Sequence, residues 1–141
     1  MDAKNIAAKL IKKYKTNDPF LLAENVGILV NYEQLLPETL GFFSNKFRIK
    51  IIHINDSIHY ELAKFVCAHE LGHALMHPHV NTPFLFNNTF LSVAKIEREA
   101  NIFGVELIIP DAELNDIDDC TVGNLSRIYS VPEDIIRLKF L

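Results

Sequence analysis

Residues His69-Glu70-Leu71-Gly72-His73 have the types and spacing of a hydrolytic metal site: two histidines four apart, with a glutamate after the first. On a helix, positions i and i+4 lie one above the other, so both imidazoles can reach a single metal ion. Glu70, next to the first of them, can lean toward a metal-bound water and take its proton. Two neutral nitrogen donors and an adjacent carboxylate are what a zinc hydrolase requires. The same letters also fit a helix that merely carries two histidines and a glutamate, so the rest of the chain has to decide.

A catalytic zinc normally has three protein ligands and one open position. His77 shares the helix face of His69 and His73, but it lies eight residues beyond His69, about 12 Å along the axis at 1.5 Å per residue. Metal–nitrogen bonds of ~2 Å cannot span that. His77 is therefore left with a supporting role beside the ligands, a helix-end role, or simple packing. The better third ligand comes from the run Glu97-Arg98-Glu99-Ala100-Asn101. At about 100° per residue, Val93, Ile96, Ala100, Phe103, Gly104 and Leu107 define one inward face. Glu97 and Asn101 stand on its margin, one turn apart. Lys95, Arg98, Glu99 and Glu106 form the opposite face, so Glu97 is expected at the metal and Glu99 in water. Asn101 can accept a hydrogen bond from a ligand histidine and so fix its tautomer.

These residues need elements to hold them. Ile6, Ala7, Leu10, Ile11 and Tyr14 recur at helical spacing near the start. Asp18-Pro19 reads as a cap followed by a first-turn proline, and Gly27 as the end of a second helix. Residues 28–32, 40–44 and 47–54 read as strands, the last two joined by a tight turn near Asn45 and Lys46. Phe47, Ile49 and Ile51 alternate with Arg48 and Lys50, which predicts one wet face and leaves strand 47–54 a candidate edge for pairing with an extended substrate. The metal helix spans 60–77, ended by Pro78. Residues 83–91 read as a loop, and the Glu97 helix runs from near Ser92 to before Pro110. An acidic connector at 111–119 leads to two short helices. The expected fold is α+β: a small antiparallel sheet, N-terminal helices, the HExxH helix, a second ligand-bearing helix and a short helical tail. The 141 residues suit a single domain, with 121–141 packed on it as the tail.

Composition narrows the function classes. Apolar residues make up 49% and charged residues 23%, ordinary for a globular protein. Net charge is −4 with no block of like charge, which argues against a direct nucleic-acid partner. The opening MDAKNIAAKLIKKYKTND lacks the apolar stretch of a signal peptide, and no run is long enough to span a membrane. Cys67 and Cys120 give no disulfide framework. A reducing cytoplasm fits.

The strings HINDSIHYELAKFVCAHELGHALMH and IEREANIFGVELIIP resemble the signature segments of the ImmA/IrrE family of zinc metallopeptidases. The first is similar to that family's strand-asparagine-helix segment leading into HELGHxLLH, with Asn55 and Lys64-Phe65 in place. The second is similar to its ExEANxFAxxLLMP segment. Gly104 stands where alanine is usual, and Ile108-Ile109-Pro110 replaces Leu-Met-Pro. The stretch from Asp18-Pro19 to Gly27-Ile28 and the run Leu125, Val131-Pro132, Ile135 and Leu138 extend the resemblance over most of the chain. It implies a gluzincin-like fold and a cytoplasmic zinc endopeptidase that cuts a helix-turn-helix repressor of a phage or mobile element. Zinc would be held by His69, His73 and Glu97, with Asn101 supporting a histidine and Glu70 as the general base.

A donor for the tetrahedral oxyanion is expected, with His53, His59, Tyr60 and Tyr129 as candidates that the residues alone do not rank. Cys67, about 200° round the helix from His69, is expected in the core. Two readings compete with proteolysis. The tail could be a DNA-binding helix-turn-helix, although Arg127, Arg137 and Lys139 are its only basic residues. Alternatively, the protein could be a non-catalytic, metal-containing anti-repressor that sequesters its target. Glu70 speaks against that, since a structural metal has no use for the carboxylate.

Overall fold

The computed structural model describes residues 2–79, 83–85 and 95–141. Helix α1, Ala3–Tyr14, is capped by Asp2, whose carboxylate accepts from the Asn5 amide at 3.1 Å. Its apolar stripe of Ala7, Ile6, Leu10 and Ile11 packs into the core, and the helix lies against α4 (Lys95–Ile108). Helix α2, Pro19–Asn25, starts as its sequence predicts: Asp18 accepts from the Phe20 amide and proline takes the first turn. Gly27 follows at φ 80° and turns the chain into β1.

Strands β1 (Leu29–Glu33), β2 (Thr39–Lys46), β3 (Ile49–Asn55) and β4 (Phe84–Leu85) form one sheet in the order β1-β3-β2-β4. The fold is α+β as expected, but the sheet is mixed rather than antiparallel, because β1 and β3 run parallel. β3 is also not an edge, since β1 covers one side and β2 the other. Its composition explains the central place: Ile51, Ile52 and Ile54 supply apolar groups to both faces. The expected wet and dry faces are exchanged as well. Ile52 and Ile54 are fully buried against α3 (Tyr60–Met76), whereas Ile49 and Ile51 lie on the side away from it, Ile49 more than half exposed.

The β2–β3 turn falls at Phe47 and Arg48, both with positive φ (54° and 67°), and not at Asn45-Lys46. Asparagine is the better residue for such a turn. Register overrides it: with the turn at Phe47-Arg48 the buried Phe43 pairs with the buried Ile52, whereas a turn at Asn45-Lys46 would set Arg48 opposite Phe43 on the inward face.

Helix α3, Tyr60–Met76, is buried along almost its whole length, packed on the inner sheet face on one side and on α4, Lys95–Ile108, on the other. The expected start of α4 at Ser92 and the inward Val93 fall outside the described residues, as does the 83–91 loop apart from 83–85. The acidic connector contains a short helix, α5, Asp111–Leu114. Helices α6 (Val122–Tyr129) and α7 (Glu133–Leu138) follow, with Ser130 in the left-handed conformation between them. Leu125, Val131, Ile135 and Ile136 join the common core, and α7 packs on α4. Lys139, its side chain 1% exposed, reaches Glu106 at 2.8 Å and Asp111 at 2.7 Å. No helix among the described residues is long and apolar enough to cross a membrane.

Candidate metal centre

The contact between α3 and α4 builds the site. Its closeness depends on two glycines: a Cβ at Gly72 would meet Phe103 Cδ1 at 3.0 Å, and one at Gly104 would meet Phe65 Cε1 at 3.1 Å and the His69 amide nitrogen at 3.3 Å. With no side chain at either position, α4 settles against the His69–His73 turn. Glu97 and Asn101, on the margin of the α4 stripe, then enter the core at 6% and 4% exposure.

His69, His73 and Glu97 converge, with candidate ligand atoms all within 4.8 Å of one another. Nε2 of His69 is 3.2 Å from Glu97 Oε1, and Nε2 of His73 is 2.9 Å from Glu97 Oε2. Donors at ~2 Å from a shared ion in tetrahedral geometry lie about 3.3 Å apart, so these separations fit a zinc-sized cation. The polarity of the hydrogen bonds points the same way. Nδ1–H of His69 donates to Asn101 Oδ1 at 2.8 Å. Burial pushes the His69 pKa down, more than the Glu97 carboxylate restores it, which favours a neutral ring. A neutral ring that donates through Nδ1 turns a lone pair from Nε2 toward a carboxylate. His73 Nε2 and Glu97 Oε2 likewise face each other without hydrogen-bond geometry, each buried and otherwise unpartnered among the described residues. A cation between these groups satisfies all of them.

Burial penalises the Glu97 carboxylate. Without an ion, His69 and His73 must donate to it or carry charge to outweigh that cost and bring its pKa to about 2, a part that a bound cation takes over when the rings are neutral. Glu70 has no such support. Both its oxygens are buried without a hydrogen-bond partner among the described residues, Oε2 lying 3.9 Å from His69 Nε2. Burial, and then the nearby Glu97 charge, push its pKa well above the ordinary carboxylate range. An orphaned buried carboxylate is expensive, and it stands beside the convergent donors.

His77 caps the C-terminus of α3, its amide donating to the His73 carbonyl at 2.7 Å. Its ring is not part of the convergent triplet. Nδ1 lies 3.2 Å from His73 Nδ1, and Nε2 lies 3.5 Å from Glu99 Oε1. Glu99 thus departs from the expectation that it points to water: its side chain is 13% exposed and turned toward His77. Glu106 departs in the same way, drawn in by Lys139 and Lys4. Helical periodicity marks where a residue leaves its own helix, not where a neighbouring helix end will cover it.

The four oxyanion candidates are engaged elsewhere. His53 lies on the sheet side away from α3, between Glu33 (3.0 Å) and Ser44 (2.7 Å). His59 caps the start of α3, and Tyr60 stacks with Phe20 there, nine residues and ~14 Å before His69. Tyr129 donates to Glu113 at 2.7 Å. Cys67 is fully buried, as expected, and burial raises its thiol pKa. One contributor was not foreseen. Phe84 of β4 stacks on the His69 ring, centroids 3.9 Å apart and planes 12° from parallel. It sits in a stretch without periodicity, where no local signal distinguishes it from neighbouring phenylalanines.

Comparison with known proteins adds an independent line. Residues 23–140 match the IrrE N-terminal-like domain of the M78 peptidases. The chain is 42% identical over 135 residues to immunity region protein 2 of Bacillus phage phi105, covering 94% of this chain and 85% of that protein. It is 39% identical over 93 residues to the metallopeptidase ImmA of Bacillus subtilis strain 168, covering 63% of this chain and 54% of ImmA.

Proposed function

Because the chain belongs to the ImmA/IrrE family of metallopeptidases, we propose that it is a zinc-dependent endopeptidase whose substrate is a helix-turn-helix repressor of a phage or mobile element. The observation that carries the catalytic part is the convergence of His69, His73 and Glu97 beside a buried, unpartnered Glu70. The repressor is supported more indirectly, by the phage immunity region for which one relative is named.

Bound by His69, His73 and Glu97, zinc would supply a Lewis acid that polarises the scissile carbonyl and makes water acidic enough to attack at neutral pH. Glu70 is the general base: it takes the proton of the attacking water and passes it to the leaving amine nitrogen. Burial and the nearby Glu97 charge keep its affinity for that proton high. Asn101 holds His69 in the tautomer that leaves Nε2 free, and Phe84 limits tilting of the same ring. In this reading residues 1–141 work as one unit in a reducing cytoplasm, where Cys67 and Cys120 remain thiols.

The test uses zinc-loaded protein and purified helix-turn-helix repressors drawn from the reading frames that flank its gene, with products identified by mass spectrometry. One defined cut by wild type, absent for Glu70→Gln with zinc retained, is the expected result. An intact repressor held in a stable complex by both proteins would instead establish sequestration.

A further inference from the structure

Each ligand histidine has a second nitrogen, and the partner of that nitrogen fixes which tautomer meets the metal. For His69 the partner is Asn101. For His73 it is another histidine. Nδ1 of His73 and Nδ1 of His77 face each other at 3.2 Å, and only one proton fits between them. If Nε2 of His73 is kept as a lone pair toward the Glu97 side, the proton of the neutral ring is on Nδ1. His73 then donates and His77 Nδ1 accepts. A neutral His77 must in turn carry its own proton on Nε2, which is buried and lies 3.5 Å from the Glu99 carboxylate. A closing of roughly 0.5 Å brings that pair to an ordinary N–H···O length.

We propose that His77 and Glu99 are positioning residues for the metal centre: together they set the tautomer, orientation and donor strength of His73 through the chain Glu99–His77–His73. The inference rests on the assignment of His73 as a ligand. Polarity is determined at every link, because a carboxylate at the outer end can only accept. Its negative charge is relayed through two rings and makes His73 a stronger donor, where Asn101 offers His69 a neutral amide. The cap of α3 locks the geometry, since the same His77 whose ring meets His73 also donates its amide to the His73 carbonyl. α4 therefore supports the site three times: Glu97 directly, Asn101 through His69, and Glu99 through His77 and His73.

The test measures zinc affinity by competition with a chromophoric chelator, with apo-protein melting and the cobalt(II) absorption spectrum as further readouts. His77→Phe keeps a ring but removes the acceptor, whereas His77→Gln restores a carbonyl that can accept from His73. The chain predicts zinc binding weakened about 10–100-fold in His77→Phe and Glu99→Ala. It also predicts a shifted cobalt spectrum for both, substantial recovery in His77→Gln, and an intermediate loss in Glu99→Gln. A packing role instead lowers the melting temperature of both His77 variants alike and leaves affinity in the folded fraction unchanged. Wild-type affinity in the Glu99 variants and in folded His77→Phe overturns the inference while leaving the metal centre standing. A wild-type protein that takes up no zinc overturns both. Should His77→Phe fail to fold, the Glu99 pair decides alone.

Discussion

Asn101 Oδ1 accepts from Nδ1 of His69 at 2.8 Å across the α3–α4 contact, and this leaves Nε2 as the only nitrogen of that ring turned toward Glu97. Replacing Asn101 by Leu keeps the volume and removes the acceptor. The buried Nδ1–H then lacks a partner, and the tautomer with its proton on Nε2 becomes competitive. Zinc affinity is expected to fall about 10–100-fold, with Asn101→Asp retaining most of it. Chelator competition on the two variants measures this directly.

Close helix packing makes a second prediction. A Cβ at position 104 already comes within 3.1 Å of Phe65 and 3.3 Å of the His69 amide nitrogen. Gly104→Val is expected to cost about 1–3 kcal/mol by overpacking. It should weaken zinc binding as well, because relief requires α4 to move outward and carry Glu97 with it. Gly104→Ala, with contacts that need only a few tenths of an ångström of give, should be much milder. Urea unfolding of the apo proteins and zinc titration of each report the two effects separately.

Lys139 ties the last turn of the chain to α4 and α5. Lys139→Met removes the nearer of two cationic partners of the part-buried Glu106, leaving Lys4 at 3.6 Å, and is expected to destabilise the fold by about 1–3 kcal/mol, measured by urea unfolding at neutral pH. The pH dependence has a definite sign. The hydrogen bond and charge of Lys139 hold the Asp111 pKa below its ordinary value. That contribution is fully present above the ordinary aspartate range and lost as pH falls through the lowered folded value. Wild type should therefore lose part of its advantage over the variant in acid. An advantage that grows on acidification contradicts the assignment.

The tail offers little to DNA. Lys139 is buried, Arg137 pairs with Asp134 at 3.1 Å, and Arg127 bonds to Asn124. Titration into labelled promoter DNA of its own gene at moderate salt should show no sequence-dependent binding in the submicromolar range. Such binding would give the tail a reading role.

Much of the site was legible in the sequence because it depends on local periodicity. The i, i+4 spacing places His69 and His73 on one face, and the α4 stripe separates Glu97 and Asn101 from Arg98. What escaped depends on contacts between distant segments. Glu99 follows the solvated face of its own helix but is covered by the end of α3, where His77 waits for it. Phe84 reaches His69 from a two-residue strand that no pattern announces. The hairpin turn moved from Asn45-Lys46 to Phe47-Arg48 because the pairing of Phe43 with Ile52 outweighs turn preference. The parallel β1–β3 pair depends on which strands meet, information that alternation within a single strand does not contain.

Whether His69, His73 and Glu97 together hold a catalytic zinc is decided by elemental analysis of zinc-loaded, buffer-exchanged wild type and Glu97→Ala. Wild type should carry about one zinc per chain, removable by chelator and restored on addition, and the variant a value near zero. Wild type that stays near zero after loading, or a Glu97→Ala protein that keeps its full zinc, contradicts that ligand set.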